Sequence, residues 1–124
     1  MLYAILCYNS EAIVESWTKE EDDAVMGRLQ VVHDRLAKQN KLGPSLRLRA
    51  TTTAATLLKG HQPPLVVDGP FAETKEQLLG FYVVDCDSHE EAIEVAKDLE
   101  RANPGAGAYE VRPVRLFLPG GKVA

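Results

Sequence analysis

The sequence is poor in the residue types that most directly announce chemistry. It has two cysteines, three histidines and one tryptophan in 124 residues. Cys7 and Cys86 each lie inside an apolar, strand-like run, the setting of buried free thiols in a reducing compartment. His33, His61 and His89 are scattered singly, and no zinc-type Cys/His spacing occurs, so no metal site is expected. No G-x-S-x-G elbow, P-loop or G-x-G-x-x-G motif is present, and neither covalent catalysis nor a bound cofactor is expected. Long hydrophobic runs are missing too. The longest, Leu2–Tyr8, falls far short of the roughly 20 residues that cross a bilayer, and no basic stretch precedes it as in a signal peptide. The expectation is a cytoplasmic protein with no membrane contact. Basic charge is in deficit: 14 Lys and Arg against 18 Asp and Glu give a net charge of −4. Phosphate backbones are bound by clustered Lys and Arg, so direct nucleic-acid binding is not expected either.

What is present suits one small globular domain. The hydrophobic fraction is 45% and the charged fraction 26%, close to globular averages. Leu2–Tyr8 reads as a strand. Thr18 and Glu21 form a T-x-x-E capping box, and Val25, Leu29, Val32 and Leu36 make one apolar helical stripe, ended by Asn40, Gly43 and Pro44. Ser45–Thr51 alternates as a half-buried strand, with Arg47 and Arg49 on its outward face. Thr56–Leu58 and Leu65–Val67 predict a hairpin arm, and Gly80–Asp87 another strand. Ser88 and Glu91 predict a second capping box, before a helix buried through Ala92, Val95, Ala96 and Leu99. Tyr109–Leu118 reads as the last strand, at an edge or bulged because of Pro113.

The order predicts an α+β, ferredoxin-like βαββαβ sheet with two helices on one face and an inserted β-hairpin. The domain runs over residues 1–118, and residues 119–124 form a tail. Two helices cover only one face, yet Leu2–Tyr8 is apolar at both parities, as is the stretch from Phe81 to Val84. The uncovered face calls for a partner, and a second copy is the simplest one. A homodimer packed sheet to sheet is expected.

Leu65–Leu78 reads LVVDGPFAETKEQL and runs into GFYVVDCDSHEEAIEVA. With Glu110–Val114 (EVRPV), this stretch resembles the DGPF subgroup of the YCII-related proteins, named for the motif found here at 68–71. The resemblance extends coarsely from Leu2 to Leu118 and implies a dimeric α/β-barrel fold. It implies less about chemistry. Some relatives are proposed to be enzymes with a His–carboxylate pair in a cleft near the dimer interface. Similar DGPF proteins occur beside, or fused to, sigma factors, which implies a link to transcription.

Each candidate site residue carries a structural alternative. Asp68, at a strand end before Gly69-Pro70, is either a turn-capping residue or a positioned acid/base, with Gly69 allowing a ligand to approach. His33 borders the stripe of the first long helix. It is either a satisfied core-margin residue or a general acid/base, and YCII-like proteins are proposed to use a His on this helix. Glu73 and Lys75 follow Phe71, as solvated loop charges or as a proton-transfer partner and an anion holder. Arg112 is a paired strand charge or a carboxylate-recognition group. Tyr3, Phe81 and Tyr82 line either an interface or a pocket wall. Three roles follow: a cofactor-independent acid/base enzyme on a small, anionic metabolite, a regulatory ligand- or protein-binding module, or a structural dimer domain.

Overall fold

In a computed structural model, residues 1–123 are described. β1 (Leu2–Asn9) leads into a short helix, α1 (Glu11–Glu15), and then the long α2 (Lys19–Lys38). β2 (Leu42–Arg47), β3 (Ala55–Leu58), β4 (Leu65–Asp68) and β5 (Gln77–Asp85) follow. α3 (His89–Ala102) and β6 (Ala108–Pro113) complete the order. The main sheet has strand order β2-β5-β1-β6, every pairing antiparallel. With the β3–β4 arm set aside as its own two-stranded sheet, this is the ferredoxin-like α+β plan.

Local chemistry sets the helix ends. The Thr18 hydroxyl accepts from Glu21 N–H while the Glu21 carboxylate takes Thr18 N–H, so both halves of the capping box form. α2 ends at Lys38 with Gln39 as its cap; the next residue, Asn40, adopts a left-handed backbone (φ +57°) and Lys41 N–H donates back to Leu36 O. The second box forms by half. Ser88 accepts from Glu91 N–H, but the Glu91 carboxylate accepts from Asp87 N–H and pairs with Lys41 instead of turning back to Ser88.

The core lies between the sheet and the two long helices. Tyr3 and Ile5 of β1 and Val84 of β5 meet Leu29, Val32 and Leu36 of α2 and Ala92, Val95 and Leu99 of α3. The registers fix which side chains share this face. Tyr3 opposes Val84 and Pro113, Ile5 opposes Tyr82 and Val111, and Cys7 opposes Gly80 and Tyr109. Leu2, Ala4, Leu6, Phe81 and Val83 alternate to the other face, which no helix covers.

Several sequence-based boundaries shift. The strand expected at Ser45–Thr51 begins at Leu42, and Gly43 and Pro44 lie inside it. A Cβ on Gly43 would meet Val83 O at 2.9 Å, so that glycine serves strand pairing rather than helix termination. Arg47 lies opposite Gly80, on the helix side of the sheet and not its outward face, while Leu46 opposes Phe81 on the uncovered side. The last strand ends at Pro113 rather than Leu118, on the outer edge of the sheet, where the missing N–H costs no ladder bond. α1 was not anticipated: it is only five residues long and buries none of them.

Candidate functional site

A cavity of about 570 Å³ opens between the sheet and the helices. Small residues leave this volume: Gly80 on β5 and Ala96 on α3 line it without filling it. At Gly80 no larger residue fits, since a Cβ would lie 2.2 Å from Leu46 O and 3.2 Å from Arg47 Cα. α1 and the segment after it close one side through Val14 and Trp17, and the loop Gly105–Gly107 closes another.

His33 of α2 and Tyr82 of β5 meet on the cavity wall, with Nε2 2.8 Å from the phenol oxygen. The rings are 5.2 Å apart and tilted by 55°. His33 is one helical turn from Leu29 and Leu36, which places it at the margin of the buried stripe and over the sheet. Tyr82 shares the helix-facing parity of Val84. Burial depresses the His33 pKa below 6.5, although the negative charge of Asp34 opposes the shift, so the imidazole is neutral at pH 7. Burial raises the Tyr82 and Tyr109 pKa values, and both phenols stay protonated. Burial also pushes the Cys7 thiol up to about 12, which leaves it an inert wall group. The arrangement sets a neutral imidazole, able to accept a proton, beside a phenol that donates a hydrogen bond and keeps its own proton.

The remaining candidates lie elsewhere on the chain. Asp68 ends β4 opposite Ala55 and is exposed. Gly69 has φ +99°; its N–H donates to Ala54 O at 2.8 Å, and its carbonyl accepts from the Thr56 hydroxyl at 2.8 Å. The DGPF turn is thereby stitched across its own arm. Glu73 and Lys75 line a separate, open cleft with Ser10, Glu11 and Thr51, where the Glu11 carboxylate accepts from both the N–H and the hydroxyl of Thr51. Arg112 opposes Ala4 on the face that no helix covers. Asp68, Gly69, Glu73, Lys75 and Arg112 do not line the His33 cavity within the chain.

Two residues of the cavity were not singled out for this site by sequence reasoning. Tyr82 was read only as a pocket or interface wall, and its two-residue spacing from Val84 was the available signal. Arg47 is expected on the outward face because Leu46 and Leu48 read as the core-facing side of the strand, whereas both are exposed and Leu46 opposes Phe81 on the face that no helix covers. Among the described residues, no group of three or more His, Cys, Asp or Glu is placed to hold a metal ion. No described helix is long and apolar enough to cross a membrane.

A four-stranded antiparallel sheet, two helices on one face and a cavity between them define the class: a ferredoxin-like α+β protein with an internal polar pair. The chain matches the YCII-related domain over residues 1–118 and belongs to that family. It is 55% identical over 120 residues to an uncharacterised protein of Rhizobium meliloti (strain 1021), across 97% of each chain.

Proposed function

We propose that this YCII-family protein is a cofactor-independent enzyme that moves a proton on a small metabolite held against His33 and Tyr82. The observation that carries this reading is the 2.8 Å contact between the two groups on the cavity wall. A neutral imidazole is a competent base at neutral pH, and a phenol whose pKa is raised is a hydrogen-bond donor that keeps its proton. In the reaction, His33 takes a proton from a carbon next to a carbonyl. The electron pair moves onto the carbonyl oxygen, where the Tyr82 hydroxyl stabilises it, and His33 returns a proton to the same carbon as the carbonyl re-forms, which exchanges that proton or inverts the carbon's configuration. The apolar walls strengthen both interactions by excluding water.

The test is solvent deuterium exchange into a panel of small carbonyl compounds, followed by NMR. Exchange in the wild type that is lost in His33→Gln, and much reduced in Tyr82→Phe, is expected. Binding without exchange would instead favour the second reading, a ligand-binding regulatory module linked to sigma-factor-dependent transcription.

The resemblance to the DGPF subgroup keeps Asp68, Gly69, Glu73 and Lys75 in the proposal as a second surface, with Arg112 as an anion-recognition group. If Asp68 takes part in turnover, Asp68→Asn folds normally and is inactive; if it only shapes the turn, activity is retained. We further propose a cytoplasmic homodimer closed over the uncovered sheet face. It is supported by the apolar side chains Leu2, Ala4, Leu6, Phe81 and Leu46 on that face. A monomeric mass by light scattering at micromolar concentration would count against it.

A further inference from the structure

We propose that Arg47 selects the substrate, and that the substrate class is a small monoanion with an apolar body, its carboxylate seated at Arg47 and its reactive end at His33. This rests on the acid/base reading of the same cavity and adds the identity of the ligand's other end.

Arg47 comes from the last position of β2 and lines the cavity on the helix side of the sheet. Its guanidinium is only partly satisfied by oxygen. Nη2 donates to Asp22 Oδ1 at 3.1 Å, but Nη1 is directed at the thioether of Met26, 3.6 Å away. A thioether is a weak acceptor, and a guanidinium has five N–H groups fitted to planar oxyanions. A carboxylate entering the cavity replaces a poor partner with a charge-assisted bond, without first breaking the Asp22 pair.

The other charges direct an anion to this end. Lys97 lines the cavity too and, like Arg47, is exposed and paired, with Glu94 at 3.0 Å, but only Arg47 keeps a nitrogen that faces nothing better than a thioether. Glu100 sits near Tyr109 at the far end, where its negative charge raises the Tyr109 pKa and repels a carboxylate. Between the ends the walls are apolar, with Val25, Leu29 and Trp17 available to pack a hydrocarbon body.

The fold sets the length of that body in two independent ways. On β5, Gly80 opposite Arg47 and Tyr82 beside His33 are two residues apart, about 7 Å along a strand. On α2, Met26 beside Arg47 and His33 are seven residues apart, about 10 Å along a helix. A carboxylate separated from its acidic carbon by several bonds fits this span.

The probes are 3-phenylpropanoate and 4-phenylbutanoate, each against its primary amide, titrated by calorimetry with the His33 ring signals followed by NMR. The acids are expected to bind the wild type roughly 10- to 100-fold more tightly than the amides, as for a charge-assisted pair. Arg47→Gln removes the preference, the acid and the amide then binding alike. Asp22→Asn, which frees the guanidinium, strengthens acid binding several-fold, an effect that a merely structural Arg47–Asp22 pair would not produce. Equal affinity for acid and amide in the wild type overturns the assignment of Arg47, as does a preference that survives Arg47→Gln or binding of neither probe at millimolar concentration. Failure of the acid/base reading shows separately, as absent deuterium exchange with the acid preference intact.

Discussion

The helix-covered face of the sheet and the β3–β4 arm are built from similar residues and held in opposite ways. On the covered face, Ile5, Val84 and Leu99 are fully buried among side chains from β1, β5, α2 and α3. On the arm, Val66 is 60% exposed, and Phe71 beyond it is 82% exposed. The arm owes its shape to backbone pairing from Ala55–Asp68 to Leu58–Leu65 and to the bonds at Gly69, not to a hydrophobic core of its own. Apolar composition alone therefore does not mark the core in this chain. What marks it is periodicity that agrees between a strand and a helix facing it.

The sharpest way to break this contrast is by truncation. Leu99→Ala should cost about 3 kcal/mol in chemical denaturation, since it removes a wholly enclosed side chain. Val66→Ala should stay within about 0.5 kcal/mol. A comparable loss at Val66 would mean that the arm is buried in an assembly.

Glycines offer the next test. Gly80→Ala should destabilise by about 2 kcal/mol, because the new methyl runs into the Leu46 backbone. Gly27→Ala, inside α2 with open space around it, should stabilise by about 0.5–1 kcal/mol. Opposite signs in thermal melts would separate glycine kept for strand approach from glycine that nothing in the fold requires.

Thr18→Ala should lose about 1 kcal/mol through the cap on α2. The smallest effect concerns pH. The folded chain holds the His33 pKa below 6.5, so the unfolded chain takes up the proton first. The contribution of His33 to stability is complete above pH 6.5 and is lost as the pH falls through the folded value. The slope of stability against pH in that window should flatten in His33→Gln.

The ferredoxin-like order was legible because both long helices carry caps and a stripe, and because β1 and β5 are apolar on both faces. The arm was legible from its two short apolar runs. β2 was misplaced because Gly43 and Pro44 carry the local signature of a helix stop, whereas pairing with β5 draws them into a strand. α1 escaped notice since a five-residue helix that buries nothing has no periodicity to read. His33 was visible in the sequence as the one histidine on the stripe. Its partner was not, because the 2.8 Å contact joins positions 49 residues apart and depends on a strand register that composition does not encode.

The central place of β1 bears on how the chain comes to be folded as it is made. Leu2–Asn9 pairs on one edge with Gln77–Asp85 and on the other with Ala108–Pro113. A strand that is synthesised early thus waits for two that are synthesised late, and such distant pairings fold more slowly than local ones. Until its partners are made its apolar side chains lack them, a period in which misassembly between nascent chains is favoured. The sheet closes only once β6 has been made, and α3, the helix packed against β1, is itself made after β5.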